Sequence, residues 1–445
     1  MKVSVLGTGY VGLVSGVCLA EKMHKVICVD VDAAKVDLIN RGIPPIFENG
    51  LEELLKKNVG ERLSATTDLE RAVHETELSL IAVGTPFNGQ EIDLTYIREV
   101  TKQIGKALRT KPGYHVVVVK STVVPGTTDN VVRPILEEAS GKKAGVDFGV
   151  GMNPEFLTEG EAINEFMHPD RIVLGGNDPA SIEAQARLYE GFQGIPVIRT
   201  NNQTAEMIKY ASNSLLATMI SFSNEIGNLC SALGGIDVVD VMRGVHSSRY
   251  LTVSLPTGEH HRPSAVSFLA AGCGFGGSCL PKDVSALAAQ GRHAGILMPM
   301  LEAVLQVNRR QPERLIGLLT KHFPTLSGVR VAILGLAFRP DTNDMRESPA
   351  IPIVRRLLAE GAVVTAYDPA AMEEARRVFK GEPLVLCESM KQAIKGVEAV
   401  VVVTRWNEFE ALPHLLKEEK VQPLVVDGRR LLDKHQIARY EGIGM

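Results

Sequence analysis

The sequence predicts an α/β protein with two doubly wound parallel sheets, joined by a long helix and a small helical central domain. The N-terminal half alternates short β-branched runs with helical patterns, which indicates parallel strands with helices on both faces. Residues 201–233 carry apolar side chains at helical spacing, with no proline or glycine before Gly227. A second set of β-branched runs begins near residue 329. We therefore expect domains at 1–200, 201–300 and 301–445.

The strands of each domain are predicted from individual runs. In the first domain these are KVSVLG, KVICVD, LSLIAVGTP, HVVVVKSTV, FGVGMNP and RIVLGG; in the last they are VRVAILGLAF, AVVTAYDP, AVVVVT and PLVVD. Runs of this length and composition are typical of strands buried in a parallel sheet. The central region lacks such runs, so we expect a helical domain there.

Composition narrows the class of protein. The chain has 445 residues, 22% of them charged, with a net charge of −4, which is typical of a globular protein and argues against a nucleic-acid partner. Its first twenty residues resemble a secretory signal, but glycines interrupt the apolar run and we interpret the segment as structural. No stretch approaches the roughly 20 unbroken apolar residues of a membrane span. We expect a cytoplasmic protein with no membrane partner.

The six cysteines, at positions 18, 28, 230, 273, 279 and 387, are scattered, with no CxxC pair. No histidines are grouped with them at ligand spacing. The pattern therefore predicts neither a disulfide framework nor a metal site.

A glycine-rich turn follows the first predicted strand. Gly7, Gly9 and Gly12 form a GxGxxG motif between that strand and a helix, and the second strand ends at Asp30, near the offset of a ribose-binding carboxylate. This predicts a Rossmann-like domain that binds NAD, because Asp30 would repel the 2′-phosphate of NADP. Lys35 would support the adenosine end. The alternative for the motif and Asp30 is a glycine-rich turn with a surface aspartate. The alternative for Lys35 is a solvated surface lysine.

The segment from Ala271 to Asp283 surrounds a thiol with glycine and serine. Cys279 precedes a helical pattern, so amides at the helix N-terminus and Lys282 would stabilise its thiolate. A cysteine in this setting is a candidate nucleophile. On these features alone, a structural thiol is as good an interpretation.

Eight motifs occur in order along the chain. They are GTGYVG, VGTP at 83–86, KSTVVPGTT at 120–128, NPEFLTEG at 153–160, HPDRIVLGG at 168–176, AEMIKYASN at 205–213, GFGGSCLPKD at 274–283 and LGLAFRPDTNDMRESP at 334–349. Together they resemble the UDP-glucose / GDP-mannose dehydrogenase family over essentially the whole chain.

The resemblance implies a four-electron oxidation with two NAD molecules reduced in turn. Cys279 would hold the aldehyde as a thiohemiacetal and then a thioester, while Lys209 and Asn213, one helical turn apart, would hold the reacting oxygen. Glu159 would activate water and Asp283 would orient Lys209 or that water. Without the motifs, we would interpret these as solvated surface residues.

The resemblance also implies which residues line each subsite. On the cofactor side they are Gly7, Gly9, Tyr10, Val11, Gly12, Asp30, Lys35, Thr85, Thr122, Glu159, Lys282 and Arg346, with Thr122 closing the catalytic site from a strand end. On the substrate side they are Glu155, Phe156, Leu157, Thr158, Lys209, Asn213, Phe268, Gly272, Gly276 and Arg339.

The chain departs from the family pattern at two places. Arg339 stands where relatives usually place a lysine, and a forked guanidinium contacts a substrate differently from an ammonium. The stretch between Arg249 and Phe268 is longer than usual, and either Arg249 or Arg262 could supply the arginine that relatives lend to a neighbouring subunit. Because the family's dimers bury the central domain, we expect a homodimer.

Two substrates fit the motifs. UDP-glucose is the leading hypothesis and GDP-mannose the closest alternative, toward which Leu280 after the cysteine points slightly. From other classes, the chain could be a non-catalytic NAD-binding protein, a two-electron dehydrogenase with a structural Cys279, or a redox sensor that uses this thiol.

Overall fold

A computed structural model describes residues 1–254, 260–418 and 421–445. The chain divides into two compact units, Met1–Ser212 and Asn213–Met445. Each unit contains one doubly wound sheet, and a long helix and a helical central region lie between the two sheets in sequence. The predicted fold class is confirmed.

The first unit is built on an eight-stranded sheet, within residues that are all described. Its strand order is β3-β2-β1-β4-β5-β6-β7-β8, and all neighbours are parallel except β6 and β7. The strands are β1 Lys2–Leu6, β2 Lys25–Val29, β3 Leu63–Thr66, β4 Leu78–Ile81, β5 Val116–Val119, β6 Gly149–Met152, β7 Ile172–Gly176 and β8 Val197–Thr200. The prediction of an all-parallel sheet was thus wrong at β6–β7, because a buried run does not specify strand direction.

Helices cover both faces of this sheet. They are α1 Tyr10–Glu21, α2 Ala33–Asn40, α3 Leu51–Asn58, α4 Leu69–Glu75, α5 Thr95–Thr110, α6 Arg133–Ser140, α7 Ala162–Met167 and α8 Pro179–Leu188, with a π-helical turn at Thr128–Val132. Strand β5 reads VVVV and is buried throughout, as expected of a strand with helices on both faces. The two faces are packed in two separate apolar clusters.

The long helix, α9, runs from Asn202 to Leu233. It begins in the first unit and continues into the second. Its length agrees with the predicted helix at 201–233, because no proline interrupts the pattern.

The second unit continues with helices and ends in an α/β region. Its helices are α10 Val238–His246, α11 Leu280–His293, α12 Pro299–Thr320, α13 Ala350–Ala359, α14 Met372–Val378, α15 Met390–Ala393 and α16 Leu412–Leu416. Its strands are β9 Val253–Ser254, β10 His260–His261, β11 Arg330–Leu334, β12 Val363–Tyr367, β13 Leu384–Leu386, β14 Ala399–Val402, β15 Leu424–Asp427 and β16 Tyr440–Gly442.

Within the described residues, the main sheet of the second unit has six parallel strands in the order β13-β12-β11-β14-β15-β16. Strands β9 and β10 form a separate antiparallel pair in the stretch from Arg249 to Phe268. Arg249 and Arg262 are both exposed there, whereas residues 255–259 of this stretch lie outside the described residues.

Candidate active site

The glycine turn of the first unit lies between β1 and α1. Gly7 has φ +100°, a conformation that favours glycine, and a Cβ on Gly12 would come 1.9 Å from the carbonyl oxygen of Gly7. By contrast, a Cβ on Gly9 would meet nothing within 4 Å. The turn therefore leaves open space beside Gly9. The helix begins there with Tyr10 and Val11, and the amides of such a first turn suit an anionic group.

Asp30 follows β2 and is half-buried. One carboxylate oxygen accepts from the amide and the hydroxyl of Thr8, over 2.9 and 2.5 Å, and the other accepts from the amide of Asp32 over 3.0 Å. Burial alone would raise the pKa of Asp30, but these hydrogen bonds and the charge of Lys35 hold it below its ordinary value. The carboxylate is ionised at neutral pH, as an acceptor for ribose hydroxyls must be.

Thr85 and Thr122 lie in loops that follow β4 and β5. The buried hydroxyl of Thr85 donates to the carbonyl oxygen of Thr122 over 2.7 Å. Because β4 and β5 are neighbouring parallel strands, their carboxyl ends meet at one edge of the sheet, where doubly wound proteins bind ligands. The structure thus brings together two residues that the sequence predicts for the same site.

Lys209 forms a buried ion pair with Glu155. The Lys209 Nζ lies 3.0 Å from the Glu155 Oε1, and the two side chains are only 4% and 5% exposed. Burial would raise the pKa of Glu155, but the ammonium groups of Lys209 and Lys120 and the amide of Leu157 hold it below its ordinary value. The sequence analysis did not predict this pairing. It assigned Lys209 to the reacting oxygen and named Asp283 as a group that would orient it.

The NPEFLTEG loop is fixed from within. The amide of Leu157 donates to Glu155 over 2.7 Å, and the amide and hydroxyl of Thr158 donate to Glu165 over 2.5 and 2.9 Å. The guanidinium of Arg171 lies 3.8 Å from the ring centroid of Phe156. These contacts fix the predicted substrate residues of this loop relative to the rest of the first unit.

Glu159 lies half-buried at the end of this loop, close enough to Tyr10 for its charge to act on the phenol. The hydroxyl of Tyr10 donates to Glu48, whose carboxylate also accepts from the amides of Gly160 and Ala162 over 2.7 and 2.8 Å. Glu48 therefore links the glycine turn to the loop that carries Glu159. Glu48 was not identified from the sequence, because Tyr10 lies 38 residues before it and the two amides lie more than a hundred residues after it.

Cys279 stands at the start of α11. It is the N-cap residue, and Pro281 occupies the first turn. The Ser278 Oγ lies 3.6 Å from the sulfur. All six cysteines are within the described residues, and Cys279 alone is half-buried while the other five are buried. Its place matches the prediction of a thiol at a helix N-terminus.

The loop before Cys279 passes close to neighbouring backbone. A Cβ on Gly276 would come 2.3 Å from the carbonyl oxygen of Glu347, and one on Gly277 would come 2.7 Å from the ring of Phe338. The amide of Gly272 donates to Asn224 over 2.7 Å. Glycine is required at these positions by close packing within the second unit.

Asn213, Lys282 and Asp283 converge in the second unit. The Asn213 Nδ2 donates to the Asp283 Oδ2 over 2.6 Å, and the Lys282 Nζ donates to the Asp283 Oδ1 over 2.5 Å. Asp283 is fully buried. It therefore positions the amide of Asn213, and it is also the ion-pair partner of Lys282, which the sequence analysis assigned to the cofactor.

Three further predicted residues lie in the second unit. Phe268, half-buried, ends a 3₁₀ turn, and Arg339 is half-buried in the loop after β11. Arg346 is exposed, and its Nη2 lies 2.5 Å from the Asp344 carboxylate. Their ligand roles remain predictions.

Within residues 1–254, 260–418 and 421–445, no cluster of three or more His, Cys, Asp or Glu side chains could hold a metal ion. In the same residues, no helix combines the length and the apolarity that crossing a membrane requires.

Three family models match successive parts of the chain. The NAD binding domain of the UDP-glucose/GDP-mannose dehydrogenase family matches residues 1–193, its central domain matches 203–310, and its UDP binding domain matches 332–434. Together these matches cover most of the chain.

Individual relatives match along the full length. A UDP-glucose 6-dehydrogenase, AglM, from Haloferax volcanii is 40% identical over 100% of both chains, and a GDP-mannose 6-dehydrogenase from Azotobacter vinelandii is 44% identical over 100% of both. Among solved structures, a UDP-glucose dehydrogenase from Pyrobaculum islandicum is 38% identical with a TM-score of 0.90, covering 100% of this chain and 97% of that one. The chain is therefore an NAD-dependent nucleotide-sugar 6-dehydrogenase and belongs to the UDP-glucose/GDP-mannose dehydrogenase family.

Proposed function

We propose that this enzyme oxidises UDP-glucose to UDP-glucuronate through a covalent intermediate on Cys279. The observation that carries the proposal is the position of that thiol, half-buried at the N-terminus of a 14-residue helix. The amides at this helix N-terminus favour the thiolate, which is the nucleophilic form. The fully buried Cys273 is different, because burial raises the pKa of its thiol.

The proposed reaction consists of two oxidations and one hydrolysis. The C6 alcohol loses a hydride and a proton to become an aldehyde, to which the sulfur of Cys279 adds. The thiohemiacetal loses a second hydride, together with the proton of its hydroxyl group, to become a thioester. Water then attacks the carbonyl carbon, the C–S bond breaks, and the acid and the free thiol are released.

NAD, when bound, accepts the hydride in each oxidation. The open space beside Gly9 fits the pyrophosphate, and the ionised Asp30 fits the ribose hydroxyls and disfavours NADP. Thr85 and Thr122, joined by a hydrogen bond at the edge of the same sheet, would border the nicotinamide end.

The remaining roles follow the family pattern. Lys209 and Asn213 would hold the reacting oxygen, with Glu155 and Asp283 as their respective partners. Glu159 would activate the hydrolytic water. The position of Asn213 against the buried Asp283 supports its part, because the carboxylate fixes the direction of the amide.

The nucleotide would bind the C-terminal α/β region, with Arg339 contacting the substrate. The match of this region to the UDP binding domain of the family supports a nucleotide site there, and the likeness to the UDP-glucose dehydrogenase of Pyrobaculum islandicum supports UDP-glucose. GDP-mannose is the second candidate, favoured by the 44% identity to a GDP-mannose 6-dehydrogenase and by Leu280.

We also propose that the enzyme is a homodimer through α9. Leu215, Phe222 and Leu229 recur every seven residues on this helix and are 61%, 47% and 54% exposed. This spacing places them on one face, and an exposed apolar face of this kind is typical of a helix–helix interface.

A matched pair of cysteine variants tests the intermediate. Purified enzyme receives NAD and UDP-glucose, and NADH is counted per sugar consumed; about two NADH per sugar are expected from the two oxidations. Cys279→Ala should form the acid at least about a thousandfold more slowly, because the nucleophile is gone. Cys273→Ala, which removes a buried thiol, should keep the two-to-one count. Acid production by Cys279→Ala at the parental rate would exclude the thioester.

The same assay distinguishes the two candidate substrates. With GDP-mannose in place of UDP-glucose, kcat/KM should fall; a higher kcat/KM for GDP-mannose would assign the enzyme to the alternative substrate.

A further inference from the structure

Lys120 and Asn153 are the first residues of two sequence motifs, and neither takes part in the reaction proposed above. They follow β5 and β6, neighbouring parallel strands in which Val119 pairs with Met152. The Lys120 Nζ donates to the Asn153 Oδ1 over 2.9 Å. The same oxygen accepts from the hydroxyl of Tyr189 over 2.5 Å. A buried lysine is thus held at the ligand-binding edge of the first sheet.

The direct hydrogen-bond partner of this ammonium is a neutral amide. Lys120 is only 3% exposed, and its Nζ lies 5.8 Å from the ring centroid of Phe166. A buried cation normally requires a carboxylate beside it. The charged groups that act on Lys120 are Glu155, of opposite sign, and Lys209, of the same sign. The nearest carboxylate is therefore already ion-paired with another lysine.

Glu155 is shared between two ammonium groups. Burial lowers the pKa of Lys120 to about 8, the charge of Lys209 acts in the same direction, and Glu155 opposes both. At neutral pH Lys120 is still mainly protonated. Its charge therefore competes with that of Lys209 for Glu155, in a site where water screens little.

We propose that Lys120 is a positioning residue whose ammonium shares Glu155 with Lys209, so that Glu155 neutralises Lys209 less and the oxyanion forming at C6 during the first oxidation is stabilised. Without Lys120, Glu155 acts on Lys209 without this competition, and the ammonium attracts that oxygen less strongly. The inference rests on the proposed function, because it assigns the oxyanion to the neighbourhood of Lys209.

Three variants in one hydrogen-bond network separate charge from structure. Lys120→Met removes the cation, and Asn153→Asp supplies it with a carboxylate at almost no change in size; each lowers the local charge by one unit. Tyr189→Phe deletes a hydrogen bond to the same Asn153 oxygen and leaves the charge as it is. Thermal unfolding of each variant shows whether it is folded.

The kcat and the KM for the sugar of each variant are then compared with those of the parent. Lys120→Met and Asn153→Asp should each lower kcat at least about tenfold, less than loss of a donor that touches the oxyanion, with KM for the sugar changed less than about threefold. Tyr189→Phe should stay within about twofold of the parent. A structural role would make all three variants alike.

The proposal is overturned if Asn153→Asp keeps the parental kcat, or if Tyr189→Phe loses as much as the charge variants. If Lys120→Met does not fold, Asn153→Asp decides alone. The parental enzyme is assayed alongside: if it makes no sugar acid from any nucleotide sugar, the proposed function itself fails, whereas a normal parent with unaffected variants rejects only the role of Lys120.

Discussion

The two doubly wound sheets have the same arrangement of strands around β1 and β11, but they differ at the turn that follows each of these strands. Gly7 after β1 and Gly335 after β11 both have positive φ, and each donates its amide to a carbonyl at the end of the neighbouring strand. Each second strand is followed by an aspartate, Asp30 in the first sheet and Asp368 in the second. Topology alone would predict the same ligand contact for both carboxylates.

The surroundings of the two carboxylates separate their roles. Asp30 is half-buried and accepts from Thr8 and Asp32. Asp368 is fully buried and accepts from five donors, namely the amides of Leu336, Ala337, Ala370 and Ala371 and the indole of Trp406. A helix begins three residues after Gly7, but none begins until Ala350 after Gly335. Asp368 is thus committed to the loops of its own sheet, whereas Asp30 is the carboxylate that we propose for ligand binding.

Removing Asp368 should have the largest effect on stability. Asp368→Ala leaves several buried donors without an acceptor, and we expect it to lower the free energy of unfolding by about 3 kcal/mol or more. Urea unfolding followed by the fluorescence of Trp406, the only tryptophan, measures this. Asp30→Asn is the matched control, expected to lose less than about 1 kcal/mol but to raise KM for NAD about tenfold. Equal stability losses would contradict the division of roles.

Lowering the pH should reduce the free energy of unfolding of the first unit through protonation of His115. This side chain is fully buried between Ser79 and Thr76, and burial lowers its pKa to about 3. Its folded pKa is below the unfolded value of about 6.5, so the stability it contributes is complete above that pH and is lost as pH falls. Between pH 6.5 and 5 the loss is about 2 kcal/mol. Hydrogen exchange of β5 at both pH values measures it, and His115→Gln should remove this contribution to the pH dependence.

Gly9→Ala should show a smaller effect, and one confined to the cofactor. The added methyl group meets no protein atom, so the melting temperature should stay near the parental value. It would occupy the space assigned to the pyrophosphate, and KM for NAD should rise about tenfold, or about 1.4 kcal/mol. An unchanged KM would place the pyrophosphate elsewhere.

The sequence predicted the central strands better than the edge strands. Buried β-branched runs such as β5 and β14 were recognised, whereas β3, β8, β13 and β16 were missed. The missed strands are short and lie at or next to the sheet edges, and β8 is largely exposed. An edge strand forms because the neighbouring strand offers hydrogen-bonding groups. Its own residues therefore need not show the pattern of a buried strand.

The candidate site shows the same limit. Residues that act locally, such as Gly7 and Cys279 at their turns, could be predicted from the motifs around them. The partner of Lys209 could not, because Glu155 lies more than fifty residues away in the chain and the pair exists only after folding. Lys120 belongs to a motif that was recognised in the sequence. Only the structure shows that its ammonium is buried close to Glu155.

The unequal burial of the thiols has a consequence beyond catalysis. Five sulfur atoms are shielded by the packed interior, and Cys279 alone offers partial access to reagents from solution. Peroxide would therefore reach this sulfur more readily than the other five, and, if Cys279 carries the proposed intermediate, its conversion to a sulfenic acid would stop turnover while both sheets stay folded. Return to the reduced state would restore turnover without any refolding.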